Sequence, residues 1–136
     1  MTRLYVDTNI IIDIVRDRRS GTGRDTAAAA LSVFSRAESG DFELVISEWT
    51  WEELEGELDE SEMEIAEELF DRAGSQIVDQ PYTAEDKKRA KEIDTHWHDA
   101  LHGILAEKAD ADHIVTQNVD DFRMLTGFDP VPPSYL

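Results

Sequence analysis

Four acidic residues, each at the start of a predicted helix or just beyond a predicted strand, are the part of this sequence that could do chemistry. They are Asp7, Glu53, Asp99 and Asp121. Carboxylates that converge on one site repel each other unless a cation joins them. Hard oxygen ligands in a chain without cysteine select Mg²⁺ or Mn²⁺. Any one of these residues alone is equally well explained as a helix cap or a solvated surface acid, so the prediction of a metal site depends on their convergence.

The stretch that begins the chain gives the strongest local signal. A short apolar run of strand-forming residues, Leu4 to Val6, ends on Asp7, and an apolar segment with helical spacing begins at Ile10. In open parallel α/β sheets, ligand sites form at the carboxyl ends of strands. Asp7, Thr8 and Asn9 are all good helix caps, but three such residues in a row are more than capping needs.

The rest of the chain alternates predicted helices with predicted strands. The pattern predicts a flexible turn at 18–24, helices near 25–37, 48–58, 61–74, 83–94, 98–108 and 120–125, and strands near 42–46, 76–79, 113–116 and 128–131. Ser61 is the expected start of the fourth helix, because Ser61 and Glu64 form a capping-box pattern. Strands separated by helices indicate an α/β class with a mostly parallel sheet and helices on both faces.

The composition is strongly acidic. The 136 residues include 31 acidic and 13 basic residues, a net charge of -18, yet 40% are apolar, which argues against disorder. This composition resembles that of haloarchaeal proteins, in whose cytoplasm a Debye length of roughly 3 Å at 1 M salt screens surface carboxylates. The length suits one domain. No segment is long enough to span a membrane and no signal-peptide core is present, so we expect a cytoplasmic protein.

Four segments in order resemble the PIN domain family, and within it the VapC-type toxin ribonucleases. They are Tyr5–Asn9, Ile46–Ser47 with Glu53–Leu54, Asp99–His102, and Ile114–Asn118 with Asp121–Phe122. Their order and spacing cover nearly the whole chain. The resemblance implies a three-layer α/β/α sandwich formed by residues 1–136 as a single domain. It also implies a Mg²⁺- or Mn²⁺-dependent endoribonuclease, the toxin of a type II toxin–antitoxin system, which hydrolyses RNA phosphodiester bonds with a metal-activated water.

The same resemblance assigns roles to residues of this sequence. It implies that Asp7, Glu53 and Asp99 form the acidic, metal-binding core and that Asp121 or Asn118 fills the fourth catalytic place. Supporting roles fall to Thr8, Asn9, Thr116 and Asn118. One departure is Asn118, because such domains often have aspartate at that position. An asparagine still offers a carbonyl ligand or a hydrogen bond to water, and the choice among Asn118, Asp120 and Asp121 stays open.

Partners follow from charge and from apolar surface. The first 37 residues hold six arginines and only four acids, in contrast to the acidic remainder. We therefore predict that RNA phosphates are contacted by the arginines beside the first motif, which are Arg16, Arg18, Arg19 and Arg24. The apolar surface of the first four helices, together with Trp49 and Trp51, is larger than a small domain readily buries. The resemblance accordingly implies a homodimer and an antitoxin segment bound over a hydrophobic groove.

Three other interpretations compete with this one. His98 and His102, four residues apart and close to His96, could bind Zn²⁺. No glutamate follows the first histidine, so we expect partly exposed structural residues, with His102 orienting Asp99. A response-regulator-like signalling domain would need a lysine at the end of a late strand, where Thr116 and Gln117 stand. A PIN-like protein that only binds RNA is the third alternative, and the complete acid set favours catalysis over it.

Overall fold

The sheet of this protein has five strands, all parallel. The computed structural model describes residues 2–74, 77–94, 97–125 and 129–136. The strands are β1 (Arg3–Val6), β2 (Glu43–Ser47), β3 (Ile77–Gln80), β4 (His113–Val115) and β5 (Pro130–Val131). The helices are α1 (Thr8–Ser20), α2 (Asp25–Glu38), α3 (Glu48–Glu57), α4 (Glu60–Ala73), α5 (Ala84–Ile93), α6 (Trp97–Lys108) and α7 (Val119–Leu125). The strand order is β3-β2-β1-β4-β5, which confirms the predicted α/β class and parallel sheet.

Helices cover both faces of the sheet, because alternate strand residues point to opposite sides. On β1, Leu4 and Val6 pack into a core that also contains buried residues of α1, α2 and α4. Tyr5, between them, points into the second core, with buried residues of α5, α6 and α7. The outcome is the expected three-layer arrangement. No helix in the described part of the chain is long and apolar enough to cross a membrane.

The central strand brings distant parts of the chain to one edge. Tyr5 pairs with Val45 of β2, and Val6 pairs with Val115 of β4. The backbone N–H of Asp7 continues the β1–β4 ladder by donating to the carbonyl oxygen of Val115 at 3.0 Å. The residues that follow these strands therefore lie side by side at the carboxyl edge of the sheet.

Several predicted boundaries differ from the structure by a residue or more, and two of these differences have a clear physical reason. The last turn of α1 includes Arg18 to Ser20, which were predicted to form a turn, and the helix ends where Gly21 adopts a left-handed φ of 70°. Helix α4 begins before Ser61, because Asp59 is its N-cap and exchanges hydrogen bonds with Glu62 in a capping box. Residues 76 and 128, where strands were predicted to begin, lie outside the described residues.

Candidate active site

Asp7 lies at the carboxyl end of β1 and is almost completely buried, with 2% of its surface exposed. It caps α1 by accepting from the backbone N–H of Asn9 at 3.4 Å, and its other oxygen accepts from the Thr116 hydroxyl at 2.9 Å. The Thr116 hydroxyl oxygen in turn accepts from the backbone N–H of Asn118. Burial raises the pKa of Asp7 despite the opposing charge of His102 and the Thr116 hydrogen bond. The capping and functional interpretations of Asp7 are therefore compatible.

Glu53 projects from the second turn of α3 towards the end of β1. Its Oε1 accepts from the Thr8 hydroxyl at 2.7 Å and is 2.5 Å from Nε2 of His102. Because a carboxylate only accepts, Nε2 of His102 carries the proton in this contact. Burial opposes ionisation of Glu53, yet the hydrogen bond and charge of His102 prevail and lower its pKa. Glu53 is thus a charged carboxylate with a fixed orientation.

His102 is the residue whose role the sequence analysis misjudged. It was predicted to be partly exposed and to orient Asp99, but it is 1% exposed and holds Glu53 instead. Its Nδ1 lies 2.6 Å from the hydroxyl of Tyr5. Burial lowers the pKa of His102, but Tyr5 and Glu53 outweigh burial and raise it well above the usual range. Both ring nitrogens are engaged, which leaves neither for the zinc site considered above.

Tyr5 extends this network to the second strand. Its hydroxyl is 2.8 Å from the hydroxyl of Ser47, which caps α3 in a capping box with Thr50. The sequence analysis assigned no role to Tyr5 beyond its place in the strand motif. A signal was present, since a tyrosine in a buried strand needs a polar partner for its hydroxyl. His98 is exposed, as expected, and His96 lies outside the described residues.

Asp99 and Asp121 complete the acidic set from two further helices. Asp99 is half-buried in the first turn of α6, and Asp121 is exposed in the first turn of α7. Burial and the charge of Asp7 raise the pKa of Asp99, with smaller contributions from Glu53 and Asp121 against the opposing charge of His102. The carboxylates of Asp7, Glu53 and Asp121 are therefore close enough to act electrostatically on Asp99.

Asp7 and Asp99 are the two carboxylates of this site that could bind a small hard cation. Within the residues that the structure describes, no three acidic or histidine side chains are close enough together to bind one metal ion. Asp7 and Asp99 are the mutually repelling pair, and Asp99 has no hydrogen-bond donor or ion-pair partner in the described ranges. Mg²⁺ is bound by one or two carboxylates while it keeps several waters. Glu53, already held by Thr8 and His102, lies beside this pair.

A groove of about 500 Å³ is lined by residues of α1, by Arg24 and Thr26, and by the segment after β4, and none of the four acidic residues lines it. Among the lining residues are Asn9 and Asn118, which follow Asp7 and Thr116 by two residues, and the cationic Arg16 and Arg24. The four arginines predicted to contact RNA all have acidic partners within the protein. The pairs are Arg16 with Glu57, Arg18 with Glu68, Arg19 with Asp59, and Arg24 with Asp13. Contact between these arginines and RNA stays a prediction.

Comparison with known proteins gives a family and a fold. A search of curated proteins found no match. Among solved structures, VapBC2 from Rickettsia felis, bound to a DNA fragment from its promoter, matches with a TM-score of 0.60 and 16% sequence identity, over 95% of this chain and 97% of that chain. At this identity the likeness concerns the fold. The family model described as "PIN domain" matches residues 3–120. That match covers most of the 136 residues and includes Asp7, Glu53 and Asp99, although it ends one residue before Asp121, so the chain belongs to the PIN domain family.

Proposed function

We propose that this protein is a Mg²⁺- or Mn²⁺-dependent endoribonuclease that acts as the toxin of a type II toxin–antitoxin system in the cytoplasm. PIN domains are generally nucleases. The observation that carries the proposal is the nearly complete burial of the Asp7 carboxylate beside Asp99. A buried, repelling pair of acids is costly to the fold, and a site kept at such a cost is expected where function requires it.

In this proposal Asp7 and Asp99 hold the cation, and the surrounding residues orient these carboxylates or a water molecule. A bound cation supplies Lewis acidity that acidifies a water and neutralises charge on the phosphate in the transition state. Thr116 fixes the orientation of Asp7 through its 2.9 Å hydrogen bond. Thr8 and His102 together hold Oε1 of Glu53, so that Oε2 can orient water. Asp121 is exposed in the first turn of α7 and acts electrostatically on Asp99.

We further propose that the RNA strand enters through the groove between Asn9, Arg16, Arg24 and Asn118. Asn9 and Asn118 are both exposed there, which suits hydrogen bonds to phosphate and sugar oxygens. Phosphate would have to compete with Asp13 for Arg24, whose ion pair measures 2.7 Å. Exposed ion pairs of this kind are worth little in salt, so the exchange costs little free energy.

An antitoxin is the partner that this function requires, and a homodimer is the assembly that we propose. A shallow groove between α1 and α2, lined by Ile14, Ala27 and Leu31, is the candidate seat for an apolar antitoxin segment. Leu31 is one of three large apolar side chains exposed within the described ranges. A light-scattering mass that corresponds to one chain, in high salt and without antitoxin, would contradict the homodimer.

Replacement of Asp7 by asparagine tests the proposed function. Asp7→Asn should abolish Mn²⁺-dependent RNA cleavage but leave the metal-free melting temperature unchanged or higher, because a buried charge is removed while the amide can still cap α1. At Mn²⁺ about 100 times its Kd, the parent should gain about 2.7 kcal/mol in free energy of unfolding, and the variant much less. Cleavage and melting are both measured in constant high KCl.

The matched control is Asp25→Asn, which removes an exposed carboxylate from the first turn of another helix, α2. It should keep both cleavage and the Mn²⁺ response. If Asp7→Asn also keeps both, the catalytic interpretation fails. If the parent binds RNA and Mn²⁺ but never cleaves, the protein is instead the RNA-binding PIN-like protein considered above.

A further inference from the structure

Three aromatic rings from two helices stack against one another at the surface. His98 stacks on Trp97 with ring centroids 4.2 Å apart, and on Trp49 at 5.6 Å with an interplanar angle of 16°. Trp49 and Trp97 are 5.2 Å apart. Both tryptophans are half-buried, whereas His98 is exposed. The two indoles therefore support a ring that presents surface to solvent.

This stack lies directly beside the acidic residues. Trp49 is one helical turn before Glu53 on α3, and His98 immediately precedes Asp99 on α6. A strand of nucleic acid with one phosphate at the acidic residues would have its neighbouring nucleotides within reach of the stack.

Helix α5 adds positive charge to the same place. The ammonium groups of Lys87 and Lys91 lie 5.1 and 5.2 Å from the ring of Trp97. Within the described ranges neither lysine pairs with a carboxylate, in contrast to the arginines of α1. Five consecutive residues, 87–91, hold four of the thirteen basic residues of a chain with a net charge of -18. Cations held over an aromatic ring can still turn to a phosphate.

We propose that Trp49, Lys87, Lys91, Trp97 and His98, the aromatic–lysine surface, bind single-stranded RNA next to the cleavage site. His98 would stack a base, and the two lysines would contact the flanking phosphates. Stacking on aromatic rings together with a basic surface is how proteins bind single strands without reading their sequence. The inference rests on the proposed function, because it assigns a second contact for the same substrate.

RNA fits this surface better than a protein segment does. Neither lysine has an ion-pair partner in the part of the chain that the structure describes, so both ammonium groups can contact a phosphate. Phosphate offers one negative charge per nucleotide, at the spacing along which bases can also stack. An acidic protein segment would meet the lysines but leave the exposed ring of His98 without a partner of matching shape.

The proposed contact of the two lysines with phosphate is tested by the salt dependence of RNA binding. A fluorescein-labelled single-stranded RNA of about 20 nucleotides is titrated with protein in EDTA, which prevents cleavage, over a series of KCl concentrations. For Lys87→Gln/Lys91→Gln, the slope of log affinity against log [KCl] should become less negative by about 1.4, or about 0.7 for each lost phosphate contact.

The matched control is Arg36→Gln/Arg72→Gln, which removes the same charge from α2 and α4 on the opposite face of the sheet. Arg36 also lies 5.1 Å from an aromatic ring, that of Phe42, so one cation–π contact is lost in the control as well. The control should leave the slope unchanged. An equal change in slope in both double variants would show that only net charge matters, and would overturn the assignment of the lysines.

The aromatic stack is tested separately through His98. His98→Ala should weaken RNA binding about 5- to 150-fold, and His98→Tyr should restore it, because base stacking needs a ring but no charge. If alanine binds as tightly as the parent, the surface does not stack bases. If the variants retain RNA affinity and instead change the light-scattering mass, the surface contacts protein, and the proposal is wrong.

These outcomes are separable from failure of the proposed function. A parent protein that neither binds nor cleaves RNA contradicts the ribonuclease itself. A parent that binds and cleaves, with His98→Ala and the lysine pair both unaffected, contradicts only the aromatic–lysine surface.

Discussion

At the scale of single residues, the distinctive feature is a chain of polar contacts that crosses the core. The chain begins at Ser47, the cap of α3, and runs through Tyr5 and His102 to the carboxylate of Glu53. A buried ion pair such as His102 with Glu53 adds little net stability, since desolvation offsets most of the attraction. Its value here lies in orientation, because Glu53 is held by two donors on one oxygen.

Tyr5→Phe should destabilise the protein by about 1–3 kcal/mol, since it leaves Nδ1 of His102 and the Ser47 hydroxyl without their buried partner. Urea denaturation at pH 7 measures this change. The control is Tyr82→Phe, which removes an exposed hydroxyl bonded to Glu52 and should change the free energy of unfolding by less than about 0.5 kcal/mol. Equal losses in the two variants would mean that the buried network does not stabilise the fold.

At the scale of elements, one carboxylate both caps α4 and connects it to α1. Asp59 caps α4, accepts from the backbone N–H of Glu62 and pairs with Arg19 of α1. These contacts lower the pKa of Asp59 to about 2. The pKa in the unfolded chain is about 3.9, so the stabilisation is complete above that value and is lost as the pH falls towards the folded value.

Asp59→Ala should therefore lower the melting temperature at neutral pH, and its difference from the parent should shrink as the pH approaches about 2. Because Asp59 is exposed, molar KCl should reduce the part of the effect that Arg19 contributes. Ser61→Ala is the informative control, since Ser61 is the cap that the sequence pattern favoured. A larger loss from Ser61→Ala than from Asp59→Ala would contradict the observed helix start.

The comparison of Asp59 with Ser61 shows how far sequence reasoning extends. Strand and helix periodicity predicted the parallel sheet and the place of Asp7, because those depend on local patterns. The contact of Tyr5 with His102 joins residues 97 positions apart, and no local pattern predicts it. The same applies to the arginines of α1, whose acidic partners on α3 and α4 become neighbours only in the folded chain.

At the scale of the whole molecule, the net charge of -18 sets the conditions under which the fold is stable. Helix α4 alone exposes Glu64, Glu67 and Asp71, none of which has an ion-pair partner within the described ranges. Their repulsion acts beyond nearest neighbours when the Debye length is about 10 Å at 0.1 M salt, and hardly acts when it is about 3 Å at 1 M.

We therefore expect the melting temperature to rise with KCl. A variant with Glu64→Gln, Glu67→Gln and Asp71→Asn should melt above the parent at 0.1 M KCl and close to it at 2 M, roughly where screening is complete. Circular dichroism at both salt concentrations measures the difference. If the difference in melting temperature between variant and parent is the same at both salt concentrations, the substitutions act through helix propensity and not through charge.

The strand order has a consequence for synthesis of the protein on the ribosome. The central strand β1 is made first and finds β2 early, but its other neighbour, β4, follows about a hundred residues later. At about 5–20 residues per second, the 68 residues between Glu53 and Asp121 take roughly 3 to 14 s to translate. Asp99 is made 46 residues after Glu53 and Asp121 another 22 residues later, so the four acidic residues are complete only at the end of that interval. For the ribonuclease proposed above, this order means that a nascent chain lacks the full set of acidic residues until Asp121 has been translated.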